Sequence, residues 1–515
     1  MIKKLTILVF ALTSLTLGSV EAQNKRPAAR KAPATSSSRQ LEQALAQIKA
    51  GQFANAASNL YSLSRRPELA KQRPQIKYTL GVALMELKLN QVAAFQFVDV
   101  IRSGNSRYTR QAIEKLSFVA NELGDDTILD YAISKVQISE FPQASRDMIF
   151  YRLGEAKSNA LNFKEAIDFY ERVPSRSPYF MQAVYGKGLA QLADKQVDEA
   201  IRTFANMREY LRNSPVTDPN RVIAQLSLAR ALYQKQDWER AIAAYAEVPR
   251  DTSFWHEALF EQSWAMLRGA RFRSAMSNFH TLHSSYYEDS YNPESLLLRS
   301  IVYLYICKYD EMEKVLSLFE KTYGPVSRQI ADFLKFTKDP AEYFSEIDKA
   351  NVMSVSDKKL NLKLPMMVSL HIQNESNVRR SMNYLKKLMT EKQKIEGSES
   401  FKNSPLGRMG LKILNNRMKN TRVAIGEKVK AHLVNMRTEM RDLYEQAGFI
   451  RYEMINGQKE TVKKRIAGKD VETTIDENIN REFYIKNGYQ YYPFSGEYWL
   501  DEIGNYHYLG KSSCE

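Results

Sequence analysis

The sequence predicts an all-α fold: a solenoid of stacked helical hairpins, followed by irregular helices, one long helix and a small aromatic-rich C-terminal cap. Two observations carry that prediction. Leu153-Gly154, Phe163, Ala166, Tyr170 and Val173 return 34 residues later as Lys187-Gly188, Val197, Ala200, Phe204 and Met207. In a second register, 75 residues apart, Tyr170, Val173-Pro174, Phe180, Ala183 and Tyr185 return as Tyr245, Val248-Pro249, Trp255, Ala258 and Phe260. Internal repetition at such periods marks units that cannot bury their apolar faces alone and must stack.

The first 22 residues read as a cleavable secretory signal. Lys3 and Lys4 make a basic start, Leu5 to Leu17 form an apolar run, and Val20 and Ala22 place small side chains before a cut after Ala22. The run is 13 residues long, too short to span a bilayer, so the mature chain is expected to be periplasmic and soluble. An uncleaved anchor is the competing reading. Residues 23–39 (QNKRPAARKAPATSSSR) hold almost no large apolar side chain and read as a flexible basic tether.

Residues 40–320 carry the solenoid. Ala56, Ala93, Leu129, Ala166, Ala200, Ala241, Ala275 and Met312, taken as equivalent, are separated by steps of 37, 36, 37, 34, 41, 34 and 37 residues. The longest step contains the turn-rich Asn213-Ser-Pro-Val-Thr-Asp-Pro-Asn220, which belongs in a loop. Paired antiparallel helices approach closely only where a small residue sits at the crossing. Gly81, Gly154, Gly188 and Ala229 supply it on the first helix, and the alanine series supplies it on the second. An aromatic residue four positions after the alanine lies one turn along the same face and fills the space between hairpins.

With its small residues, alanines and aromatics at these positions, the stretch resembles the tetratricopeptide-repeat family. Pro178 stands where that family often ends its second helix, although most units here lack that proline and the family's early tryptophan. The resemblance implies a curved groove, lined by the first helix of each unit, that binds peptides or proteins. Its inward-facing positions nominate Tyr78, Tyr151, Arg152, Glu155, Asn159, Tyr185, Arg230, Gln234, Trp264 and Arg268 as partner-binding residues. Packing against the neighbouring unit is the alternative role of each.

After Met312 the repeat fades, and Tyr323-Gly-Pro325 opens a different section. Residues 321–400 read as an irregular helical extension interrupted at Lys338-Asp-Pro340 and Lys363-Leu-Pro365, with Ser398 to Ser404 as a loop. Ser404-Pro405 is a helix start, serine as cap and proline in the first turn. The long basic helix, residues 401–456, carries a heptad seam of Val429, Leu433, Met436, Met440, Leu443, Ala447 and Ile450. Such a seam seeks one partner helix, either in this solenoid or in a second copy. Phe401 to Glu453 holds eleven Lys/Arg against five Asp/Glu.

Residues 457–515 form a C-terminal helix and cap. Tyr484 to Tyr508 packs nine aromatic residues into 25, divided by Gly488, Pro493-Phe-Ser-Gly496 and Gly504-Asn505. Tyr492-Pro-Phe-Ser-Gly-Glu-Tyr-Trp499-Leu-Asp-Glu-Ile-Gly504 resembles the ending of periplasmic repeat components of adventurous gliding motility machinery. That resemblance implies a part of an envelope-spanning machine; a purely structural cap is the alternative.

The net charge is +15, and +14 after removal of the signal. For an exported chain this disfavours nucleic acid and points to other envelope proteins or peptides, peptidoglycan or an anionic membrane surface as partners. Cys307 and Cys514 either form one disulfide or leave Cys307 a buried free thiol within a helix. His280 and His283 share a helical face, but no third ligand is near, so no metal is expected. Nucleophile elbow, phosphate-cradling loop and paired Cys motifs are absent. Glu399-Ser400 resembles the catalytic pair of lytic transglycosylases, but the Gly-Leu-Met-Gln run expected after it is missing. The chain therefore reads as a non-enzyme without cofactor: an exported scaffold for protein–protein interactions in an envelope-associated machine, or alternatively a peptidoglycan-binding protein using its basic tether and helix.

Overall fold

The computed structural model describes residues 36–104, 106–124, 127–128, 146–355, 360–466, 486 and 498–508. The secretory signal, most of the tether, Leu129, Tyr484 to Glu497 apart from Lys486, and Cys514 lie outside them. All regular elements among the described residues are helical.

Hairpins follow one another along the chain. They are formed by α1 (Ser36–Lys49) with α2 (Phe53–Ser64), α3 (Arg73–Glu86) with α4 (Asn90–Arg102), and then α5 (Ser106–Leu123). Next come α6 (Arg146–Asn159) with α7 (Phe163–Glu171), α8 (Phe180–Ala193) with α9 (Val197–Tyr210), and α10 (Pro219–Gln234) with α11 (Trp238–Ala246). The last pairs are α12 (Trp255–Arg268) with α13 (Phe272–Leu282) and α14 (Pro293–Tyr305) with α15 (Tyr309–Phe336). Helix α1 starts inside the expected tether.

Each hairpin turns in the same way. Gly51, Lys88, Gly124, Leu161, Lys195, Gln236, Ala270 and Cys307 all have positive φ, between 55° and 74°. At Lys88 the N–H donates to Met85 O at 2.8 Å and the next N–H, Leu89, to Leu84 O at 2.9 Å. This pair of bonds ends a helix on a left-handed residue and aims the chain back along it. Its counterparts recur at Leu161, Lys195, Gln236, Ala270 and Cys307.

The crossings obey the small-residue rule. A Cβ on Gly81 would meet the Phe97 ring at 2.5 Å, one on Gly154 the Tyr170 ring at 2.6 Å, and one on Gly188 the Phe204 ring at 2.5 Å. Each aromatic thus fills the notch on the first helix of its own hairpin, and Tyr170 also reaches Gly186 of the next. Ala44, Ser117, Ser263 and Ser300, fully buried at the equivalent positions, complete the series.

Three expectations are corrected. Tyr323-Gly-Pro325 is no boundary, since α15 runs unbroken through Pro325, with Tyr323 and Val326 in the core. The expected loop before the long helix contains a short helix, α19 (Glu399–Lys402). Cys307 is neither helical nor a free thiol; it occupies the left-handed turn after α14 and is disulfide-bonded. Cys514 is the one other cysteine of the chain and so the only intramolecular partner the sequence offers.

Between the repeats and the long helix lie α16 (Pro340–Val355), α17 (Met366–Asn374) and α18 (Ser376–Glu396). The long helix, α20 (Pro405–Ile466), continues past its expected end at residue 456. Ser404 Oγ accepts from Gly407 N–H at 2.9 Å, capping it as the sequence implied. Its seam residues are buried, and the helix packs back on the same chain, against α14, α15, α16 and α18, and touches α2 and α4. No described helix is long and apolar enough to cross a membrane.

Candidate functional site: the row of first helices

The nominated residues sit on the first helices, and most are engaged by the neighbouring hairpin. Tyr78 packs between Phe97, at 6.1 Å, and Tyr108 of the next first helix, at 5.9 Å. Tyr151 stacks on Tyr179 at 5.9 Å and donates its hydroxyl to Glu155 Oε1 at 2.9 Å. Burial, and then the Glu155 charge, push that phenol far above its usual pKa, so it stays a donor. Arg152 pairs with Glu155 at 2.7 Å and reaches back to Asn121 of α5 at 3.4 Å. Tyr185 packs on Phe204 at 6.3 Å.

Arg230 makes the strongest such bridge. Its Nε and Nη2 hold Glu261 of α12 at 2.9 and 2.6 Å, and Nη2 also meets Glu257 at 2.6 Å. Burial works against the cation, but the two carboxylates more than offset it and raise its pKa. Trp264 is near enough to Glu294 of α14 to temper the rise that burial gives that carboxyl, and Arg268 lies over the Trp264 ring at 5.7 Å. Gln234 reaches Leu192 O at 3.4 Å. Asn159, Gln234 and Arg268 are exposed.

So the row is a lattice of bridges from one first helix to the next, with polar ends facing solvent. What sequence reasoning missed is its apolar part. Phe118 is 51% exposed and Leu189 42% exposed. Each directly follows the small crossing residue, Ser117 or Gly188, just as Glu155 follows Gly154, Arg230 follows Ala229 and Trp264 follows Ser263. Tyr305, 62% exposed, stands five positions after Ser300, the offset of Asn159, Gln234 and Arg268 from theirs. The repeat register thus carried the signal. A large apolar side chain held in water at a repeated position is the kind of surface that partners cover.

Among the described residues no group of three or more His, Cys, Asp or Glu side chains is placed to hold a metal ion. His283 faces Ser295 and Arg299, at 2.8 and 3.2 Å. Glu399 engages Asn403 and Lys402 on its own short helix. A cavity of about 290 Å³ lined by Arg208, Arg212 and Arg221 also holds Glu209 and Glu247. There Arg208 pairs with Glu247 and Arg221 caps the Arg212 and Ser214 carbonyls.

Residues 205–254, from α9 through the α10/α11 hairpin, match the family described as tetratricopeptide repeat. No curated protein sequence matches the chain. Similar solved structures include a tetratricopeptide repeat protein from Parabacteroides merdae, 15% identical with a TM-score of 0.31, covering 47% of this chain and 91% of that one. Another is a Rap protein complexed with competence and sporulation factor, 12% identical with a TM-score of 0.29, covering 76% of this chain and 99% of that one.

Proposed function

We propose that this tetratricopeptide-repeat chain is an exported, non-catalytic scaffold that docks partner proteins of an envelope-associated machine, one serving motility, secretion or cell-wall assembly. The observation that supports docking is the outward row itself: Phe118, Leu189 and Tyr305 project into solvent in repeat register. Tyr, Trp and Arg side chains interleave with them, the types that dominate interface energies. The basic, apolar, small-residue start of the sequence supports export, and the ending at Tyr492 to Gly504 supports the link to gliding-type machinery.

The experiment is affinity capture from the envelope fraction with wild type and with the double variant Phe118→Asp, Leu189→Asp. Both side chains are about half exposed, so the variant is expected to stay folded, checked by circular dichroism, while losing the partners that wild type retains. Identical partner sets would sink the reading. A second reading, binding to peptidoglycan, is favoured by Arg408, Lys412, Lys419, Lys430, Arg437 and Arg441, all exposed along α20. Sedimentation with purified peptidoglycan that the double variant preserves and high salt abolishes would support this second reading instead.

A further inference from the structure

The long helix carries a second heptad seam, on the side away from the core. From Glu427 to Lys459, ten residues at alternating steps of four and three are all exposed. Seven of them lie five positions after the seven residues of the buried seam, which places them about 140° round the helix from it. Tyr452 and Ile455 are 61% and 55% exposed, and Phe449 beside them 71%. Glu445, Gly448, Phe449 and Tyr452 line a hollow, and a Cβ on Gly448 would meet nothing within 4 Å. A heptad seam in water, with an apolar end and an empty notch, is a surface shaped for another helix.

The order of residues along the seam says which helix. Laid antiparallel on a second copy, about an axis level with residue 443, the seam meets itself in complementary layers. Arg441 faces Glu445 of the second copy and Glu427 faces Lys459, so four ion pairs form, two beside the axis and one at each end. Val434 faces Tyr452 and Ala431 faces Ile455, apolar on apolar, while Thr438 enters the notch at Gly448. Arg441 has a donor to spare: its Nε and Nη2 face Asp442 Oδ1 at 3.3 and 3.1 Å, which leaves Nη1 for a second carboxylate.

Other arrangements lose this match. Parallel pairing sets Glu427, Arg441, Glu445 and Lys459 each against its own charge in the other copy. An antiparallel slip of one heptad in either direction breaks all four ion pairs. Like charges set against each other suppress the wrong pairing. A foreign helix would have to reproduce this order of charges, whereas a second copy already carries it.

We propose that the chain forms a two-fold dimer through α20, its outer seam packing antiparallel on the same seam of a second copy. The interface is isologous and runs about 48 Å along the helix. It uses neither the buried seam nor the row of first helices.

The test is analytical ultracentrifugation of the chain from Gln23 onward, wild type and charge-reversed. Wild type is expected to sediment as a dimer at micromolar concentration. Arg441→Glu alone and Glu445→Arg alone each set like charges against each other twice per dimer, and each is expected to weaken association about tenfold or more. Mixed one to one, the two variants restore both central ion pairs in the heterodimer and are expected to associate as wild type does. That rescue requires both to be folded, so it separates a broken seam from a broken fold. The Phe118→Asp, Leu189→Asp variant is expected to dimerise normally. A wild type that stays monomeric up to about 100 μM, a dimer indifferent to both charge reversals, or a mixture no tighter than either variant alone overturns the proposal, as does loss of the dimer in the Phe118→Asp, Leu189→Asp variant.

Discussion

At the scale of single residues, the hairpin turns fix the register. Gly51, Lys88, Gly124, Leu161, Lys195, Gln236, Ala270 and Cys307 each lie five positions before the alanine series and reproduce its steps of 37, 36, 37, 34, 41, 34 and 37 residues. Backbone conformation and side-chain pattern thus report one period independently. Only Gly51 and Gly124 take the left-handed conformation without a Cβ. The others bear a strain of about 1–2 kcal/mol each. Lys195 is exposed and its side chain carries nothing in the turn. Lys195→Gly is therefore expected to raise stability by about 0.5–1 kcal/mol, after glycine's greater unfolded-state entropy is subtracted. A urea melt checks it; a loss of stability would mean that the turn does not hold the conformation described.

At the scale of elements, the long helix shows what a sequence displays and what it hides. Its second half, Val429 to Ile450, keeps the alternating four-three spacing of a heptad and was legible for that reason. Its first half buries Leu406, Gly410, Leu414, Met418 and Thr421, mostly at steps of four. That spacing drifts around the helix and presents no straight seam, so it gives no sign of its partners. The choice between self-packing and dimerisation was equally hidden, because the partner surfaces on α16 and α18 come from a region without recognisable repeats. Pro325 misled for the opposite reason: proline usually stops a helix, yet α15 buries Tyr323, Val326 and Ile330 on both sides of it and the packing holds it helical.

Glycines along α20 mark how close the approach is. A Cβ on Gly426 would overlap the Pro340 carbonyl at the start of α16, whereas one on Gly448 meets nothing within 4 Å. Gly426→Ala is expected to lower stability by about 1–3 kcal/mol through overpacking. Gly448→Ala is expected to raise it by about 1 kcal/mol through helix propensity. Calorimetry on the two variants separates packing from propensity, and equal effects would contradict the placement of α20 on α16.

At the scale of the whole molecule, α20 and α18 turn an open stack into a braced one. Glu391 of α18 accepts from the Gln91 N–H through both oxygens, at 2.9 and 3.0 Å, at the start of α4. Tyr384 donates to Gln91 Oε1 at 2.6 Å, and Lys387 donates to Glu122 O at 2.5 Å. At the other end Arg451 holds Glu313 at 2.9 Å and Glu320 at 3.0 Å on α15. Helix α18, packed along the long helix, thus ties down α4 and α5, while the long helix itself holds α15. A braced stack presents its outward row with little conformational freedom left to lose, which lowers the cost of binding. The hairpin units, their register and the first-helix row were legible in the sequence because each unit repeats the same local solution. The bracing was not, since it rests on contacts such as Glu391 to Gln91 that lie 300 residues apart and occur once.

The central claim is that partners dock on that row, and site-specific photocrosslinking in living cells tests it most directly. A photoreactive residue is placed at Phe118, at Leu189 and, as a control, at Phe336, which is 73% exposed at the end of α15, a second helix rather than a first. Crosslinks to the same partner from positions 118 and 189, with none from 336, are the expected result. No crosslink from either row position, or equal crosslinking from all three, would contradict the account.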